Sequence, residues 1–141
     1  MLKQLSLFVE NQPGALSAVC KVLKENSIDM RALSLADTQQ FGILRMLVRD
    51  ENAAKSALEK AGFVVKLTDV LALSVPDRAG GLADVLSIID KYNLSVEYMY
   101  AFPYADTKRA ALIFRFADAA AAEKALAGEA VEIIASSEIF G

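Results

Sequence analysis

No histidine occurs in this 141-residue chain, and Cys20 is its only cysteine. Zinc, iron–sulfur and haem sites lose their usual ligands, and a disulfide framework within one chain is impossible. Cys20 falls on an apolar helix face, where it reads as a buried and inert thiol with no histidine to activate it. Runs of basic residues are also lacking: 15 Lys and Arg are scattered singly against 18 Asp and Glu, for a net charge of −3. Phosphate backbones need a concentrated positive face, so nucleic acid is excluded as the main partner. No apolar run reaches the ~18 residues of a membrane span, and the N-terminus lacks the order of a signal peptide. The expectation is a cytoplasmic protein with no metal, no cofactor and no membrane partner.

What the chain does have is repetition. Val9-Glu10-Asn11-Gln12-Pro13-Gly14-Ala15-Leu16 returns as Val75-Pro76-Asp77-Arg78-Ala79-Gly80-Gly81-Leu82, at an offset of 66. Each copy leads into one apolar helix face, Leu16, Val19, Cys20 and Leu23 in the first and Leu82, Val85, Leu86 and Ile89 in the second. So long a period exceeds a solenoid unit and matches a duplicated small domain, giving units 1–68 and 69–141. A 55% hydrophobic content excludes disorder. Units of this size bury little surface alone, so an interface or a second chain is expected.

Leu5, Leu7 and Val9 alternate as a first strand that ends at Asn11-Gln12-Pro13-Gly14. A helix follows to about Glu25, with Asn11 or Gln12 as cap and Pro13 in the first turn, and it stops at Asn26-Ser27. Strands over 28–36 and 43–48 form a hairpin around Asp37-Thr38-Gln39-Gln40. Asp50-Glu51-Asn52 opens a second helix with Ala54, Ala57, Leu58 and Ala61 inside, and Gly62 closes it. A fourth strand spans 63–67. The order is that of a split βαβ, ferredoxin-like unit. The second half repeats it over 70–75, 80–91, 94–102, 110–116, 119–126 and 131–135, with Thr68-Asp69 between the halves. From the hairpin onward the offset is 68, so the loop Phe102-Pro103-Tyr104-Ala105-Asp106-Thr107 has gained two residues. The fold class is α+β: two βαββαβ units in tandem, antiparallel sheets with helices on one face.

Strand parity puts Ile28, Met30 and Ala32 with Leu44, Met46 and Val48 against the helices. Phe8, Leu33, Leu35, Ile43 and Leu47 then leave by the opposite face, which is too apolar for water. A covering sheet or second chain, hence a homodimer or larger homo-oligomer, is expected.

At each strand-to-helix turn, unpartnered backbone amides near Gly14, Ala15 and Leu16, and near Gly80, Gly81 and Leu82, converge where the helix dipole is positive. A small carboxylate suits that place. The alternative is that the glycines serve only to turn the chain tightly.

The order of elements, the Asn11–Leu16 turn, and the passage Leu23-Lys24-Glu25-Asn26-Ser27-Ile28-Asp29-Met30 resemble the ACT domain, a small-molecule sensor attached to enzymes of amino-acid metabolism. The resemblance covers essentially the whole chain as two units. It implies a free amino acid or related small carboxylate bound between paired units, by the glycine turn of one and the start of the second strand of another. By position this nominates Asn11, Gln12, Pro13, Gly14, Ala15, Leu16 and Asp29 in the first unit. In the second it nominates Asp77, Arg78, Gly80, Gly81, Leu82 and Ser95. The family turn often has an acidic residue at Asn11 and proline at Ala79, so the two sites are expected to be unequal. Asp77 or Asp29 can hold an ammonium group, or serve as a helix cap and a solvated strand end. Tyr98 and Tyr100 replace Ala32 and Ser34, and with Tyr92 and Tyr104 they either fill the core or line a pocket.

An enzyme is disfavoured by the absence of a nucleophile–base pair, a basic phosphate-binding loop or a Gly-rich Lys-Ser/Thr cradle, so no catalytic residue is assigned. Single-strand RNA recognition lacks its strand aromatics at 43–48. Two functions stay open: an amino-acid sensor acting on a separate metabolic enzyme, and an assembly module with this fold and no ligand.

Overall fold

The computed structural model describes residues 1–37, 40–102 and 108–140. Residues 38–39 of the expected 37–40 turn and 103–107 of the expected 102–107 loop, Tyr104 included, lie outside them. Two compact units emerge, Lys3–Thr68 and Asp69–Gly141, the latter including Met1–Leu2.

The N-terminal unit runs β1 (Leu2–Glu10), α1 (Ala15–Glu25), β2 (Met30–Asp37), β3 (Phe41–Val48), α2 (Glu51–Lys60) and the start of β4 (Val65–Pro76). Its strands lie in the order β2-β3-β1-β4, with β1 and β2 each antiparallel to β3. Leu5, Leu7 and Val9 share a face with Leu44, Met46 and Val48, and this face meets Val19 and Leu23 of α1 and Ala54 and Leu58 of α2. Alternation along the strands and 3.6-residue spacing on the helices place these side chains in one core.

The C-terminal unit continues with β4, then α3 (Gly81–Lys91), β5 (Val96–Phe102), β6 (Arg109–Phe116), α4 (Ala119–Leu126), β7 (Glu132–Ile133) and α5 (Ser136–Phe140). Here β6 lies between β4 and β5, and β7 flanks β4 at Leu73 and Ser74. Leu71, Leu73, Val75, Phe114 and Phe116 pack with Val85, Ile89, Ala122 and Leu126.

The doubled sequence produces doubled geometry. Asp50 accepts from the Ala53 amide at 3.0 Å, and Asp118 from Ala121 at 3.0 Å, so α2 and α4 carry the same side-chain cap. Both first helices end at a residue with positive φ, Ser27 at 55° and Asn93 at 53°. Their closures match, Ile28 donating to Leu23 and Leu94 to Ile89.

Several expectations are corrected. Thr68-Asp69 forms no break: it lies inside β4, one strand of 12 residues. Phe63 and Val64 precede that strand, and Val64 is 76% exposed. The final strand is only two residues long, because Ser136-Ser137-Glu138 starts α5 instead. Cys20 is half-buried rather than buried, since Val19 and Leu23 take the inner positions of α1. Ala57 is half-buried and Ala61 exposed, which leaves Ala54 and Leu58 as the inner face of α2.

The largest correction concerns parity. Met30 pairs with Val48 but Ala32 pairs with Leu47, so a β-bulge at Arg31 reverses the alternation. Ala32 therefore leaves the helix side, while Leu33 and Leu35, opposite Met46 and Leu44, join it. On the edge strand β2 they stay exposed, at 48% and 51%. Phe8, Ile43 and Leu47 lie on the other face as expected; Phe8 is 62% exposed and Leu47 fully buried. The same bulge recurs between Val96 and Tyr98, which turns half-buried Tyr98 and Tyr100 away from the α3–α4 core.

Candidate functional site

Gln12-Pro13-Gly14-Ala15 forms a turn in which the Ala15 amide donates to the Gln12 carbonyl at 3.2 Å. Gly14 has φ 87° and ψ −14°, the values a type II turn demands of its third residue, with proline suited to its second. Arg78-Ala79-Gly80-Gly81 repeats the geometry, with Gly81 donating to Arg78 at 3.0 Å and Gly80 at φ 82°, ψ −6°. Both glycines are thus required by the backbone itself.

The turns spend two of the amides expected to be open, those of Ala15 and Gly81. Left without a partner among the described residues are the amides of Gly14, Leu16 and Ser17 in the first copy. The corresponding set in the second is Ala79, Gly80, Leu82 and Ala83. No side chain caps α1 or α3, so neither Asn11, Gln12 nor Asp77 acts as a cap. The Gln12 amide donates instead to the Glu10 carboxylate. Asn11 and Asp77 use their backbone amides to bond Gln40 and Lys108, which ties each turn to its hairpin.

The surroundings of the two turns differ. Beside the first lies a hollow of about 220 Å³, lined by Val9, Glu10, Asn11, Gln12, Leu16, Leu35 and Gly42. A second hollow of about 470 Å³ flanks the same turn, between Phe8, Phe41, Ala15, Ala18 and the 62–64 segment. At the other copy the Arg78 guanidinium folds back, donating to the Ala79 carbonyl at 3.2 Å and pairing with Asp84 at 2.9 Å. Gly81 is also held close: a Cβ there would stand 2.0 Å from the Pro76 carbonyl oxygen, where the first copy accepts Ala15.

Asp29 and Ser95 are not brought to the turns of their own units. Antiparallel pairing places Glu10 with Phe41 but Met30 with Val48, so Asp29 is roughly 23 Å from the turn, at about 3.3 Å per residue. Ser95 is removed from Asp77–Leu82 in the same way, beyond the Val96–Phe116 pair. Asp29 is exposed, 3.8 Å from Arg31. Tyr92 neither fills the core nor lines these hollows: its hydroxyl donates to Glu129, which also pairs with Lys91 at 2.6 Å.

Val9, Glu10, Leu35 and Gly42 were not nominated by sequence. Plain alternation puts Leu35 on the opposite face; the bulge, which leaves no mark in composition, moves it to this one. Among the described residues no cluster of three or more metal-type ligands occurs, and no helix is long and apolar enough to cross a membrane.

Two ferredoxin-like βαββαβ units, each with a type II glycine turn leading into its first helix, define a duplicated small α+β module. The chain belongs to the ACT domain family, as an ACT domain pair matched over residues 1–140. Protein BT0572 from Bacteroides thetaiotaomicron is 35% identical, with a TM-score of 0.90 over 99% of this chain and 95% of that one. The regulatory subunit of aspartate kinase from Thermus thermophilus, in its ligand-free form, shares the fold at 19% identity and a TM-score of 0.66, covering 89% of this chain and 87% of that one. Its counterpart from Thermus flavus gives 20% identity and a TM-score of 0.63, with 89% and 88% covered. A search of curated proteins finds no match.

Proposed function

We propose that this ACT domain pair, with its units meeting at 68/69, is a non-catalytic regulatory protein that senses a free amino acid or similar small carboxylate. The observation that carries the reading is the set of unpartnered amides at Gly14, Leu16 and Ser17 beside a hollow of about 220 Å³. Three donors at a helix N-terminus suit a carboxylate, and the nearby Glu10 carboxylate suits an ammonium group. Asp29 and Ser95, distant from the turns of their own units, would serve turns of other units in a homodimer. The chain shares its fold with regulatory subunits of aspartate kinase, and the reading extends to control of a separate metabolic enzyme in the cytoplasm. Arg78 folding over the second turn supports unequal sites.

A thermal-shift screen of free amino acids tests the proposal. A ligand at 100 times its Kd stabilises by about 2.7 kcal/mol. A flat response to every amino acid would leave the second reading, a ligand-free assembly module, which the exposure of Phe8, Phe41 and Val64 favours.

A further inference from the structure

The bulge at Arg31 does more than reverse a strand. By turning Leu35 to the helix side, it lays that side chain across Gly42, the residue paired with Val9 on β1. The fit is close, since a Cβ on Gly42 would meet Leu35 Cδ1 at 2.8 Å. Leu35, Leu16 and Val9 thereby form an apolar wall facing the polar turn residues Asn11 and Gln12. Among the described residues that line this hollow, Glu10 is the only ionisable one, and it is an acid. At about 220 Å³ the space is smaller than the ~300–1,000 Å³ of sites that take larger ligands.

We infer that the N-terminal hollow selects a neutral aliphatic amino acid, with Leu35, seated over Gly42, setting the limit on side-chain size. The inference rests on the sensor reading and deepens it. A ligand bearing a second carboxylate would find no cation among the described residues of the wall, and burying that charge unpaired is costly. A branched aliphatic side chain loses apolar surface to Leu35, Leu16 and Val9 at no such cost. The C-terminal unit is built differently: Ala101 and Leu112 form the pair that matches Leu35 and Leu44, and Ala110 stands at the place of Gly42. The size limit therefore belongs to the first unit alone.

Titration calorimetry on the full chain tests this with leucine, isoleucine, valine, phenylalanine, lysine and aspartate as probes. An aliphatic amino acid is expected to bind tightest. Leu35→Ala weakens it about tenfold, the worth of one to two lost methyl contacts, and admits phenylalanine. Gly42→Ala forces Leu35 outward and weakens aliphatic binding. Leu33→Ala is the control, being on the same strand and face but outside the hollow, and leaves affinity unchanged. Leu35 is half-exposed, so its variant is expected to fold, which circular dichroism verifies. Tightest binding of aspartate, lysine or phenylalanine, or equal effects of Leu35→Ala and Leu33→Ala, would overturn this inference while leaving the sensor reading intact. If no amino acid binds at all, both fall.

Discussion

The guanidinium of Arg78 stands 2.9 Å from the carboxylate of Asp84, across the first turn of α3. The nearest other atom to a Cβ built on Gly80 is Arg78 Nη1, at 3.8 Å, so the arginine lies over the bend that its own backbone makes. Both side chains are mostly exposed, and such a pair contributes about 0–1 kcal/mol to stability. Its importance is steric. Calorimetry is expected to return one amino acid bound per chain, and Arg78→Ala to shift Tm by no more than a few degrees. Two sites of equal affinity would show that the arginine obstructs nothing.

Gly81→Ala is expected to be the most damaging substitution among the described glycines. The new methyl would meet the Pro76 carbonyl oxygen at 2.0 Å, which only movement of the backbone can relieve. A loss of about 2–3 kcal/mol is expected, at the upper end of single-residue effects. Gly14→Ala has open space but φ +87°, and costs about 1–2 kcal/mol. Gly128→Ala has open space and no positive φ, and is expected to be neutral or stabilising by up to about 1 kcal/mol. Urea denaturation of the three variants gives the ranking, and any other order would contradict the assignment.

The caps of α2 and α4 allow a test of symmetry. Asp50→Ala and Asp118→Ala each remove an acceptor 3.0 Å from a backbone amide and are expected to cost about 1 kcal/mol. Belonging to different units, they share no partner, so the double variant is expected to show the sum within about 0.5 kcal/mol. A shortfall larger than this would reveal coupling between the two caps.

Lys91, Tyr92 and Glu129 predict a pH signature. The hydrogen bond from Lys91, followed by that from Tyr92, holds the Glu129 carboxyl below its ordinary range. Bonding to Glu129 raises both Lys91 and Tyr92. The Glu129 contribution is present above the unfolded carboxylate pKa, about 4.3, and lost as pH falls through the lower folded value. The Tyr92 contribution is present below its unfolded pKa, about 10, and lost as pH rises through the higher folded value. The stability gap between wild type and Tyr92→Phe, followed by thermal melts, should be level from about pH 5 to 9 and narrow outside that window. A gap that does not change with pH would show that the hydrogen bond to Glu129 is not made.

Much of the architecture was legible because local signals agreed. Pro13-Gly14 and Ala79-Gly80 mark their turns, Asp50 marks a helix start, and Val19, Leu23, Val85 and Ile89 mark the buried faces. What escaped was whatever depends on pairing. The bulges at Arg31 and Glu97 arise from register against β3 and β6, and no residue type announces them. Thr68-Asp69 looked like a connection, yet the ladder carries β4 straight through it. At the candidate site the turn residues could be named from the chain, but which amides stay open could not. That depends on the type II turn consuming Ala15 and Gly81, and on Arg78 folding back over one copy.

The surplus residue in β2 has its counterpart at the matching step of β5. A kink held in common by both halves is most simply a trait of the single ancestral module, fixed before the gene doubled. Excising Arg31 would leave Met30 and Ala32 as plain neighbours opposite Val48 and Leu47, and Leu35 would keep its place opposite Leu44. The recognition wall would outlast the loss of the very residue that sets its phase, because pairing with β3 holds Leu35 in place.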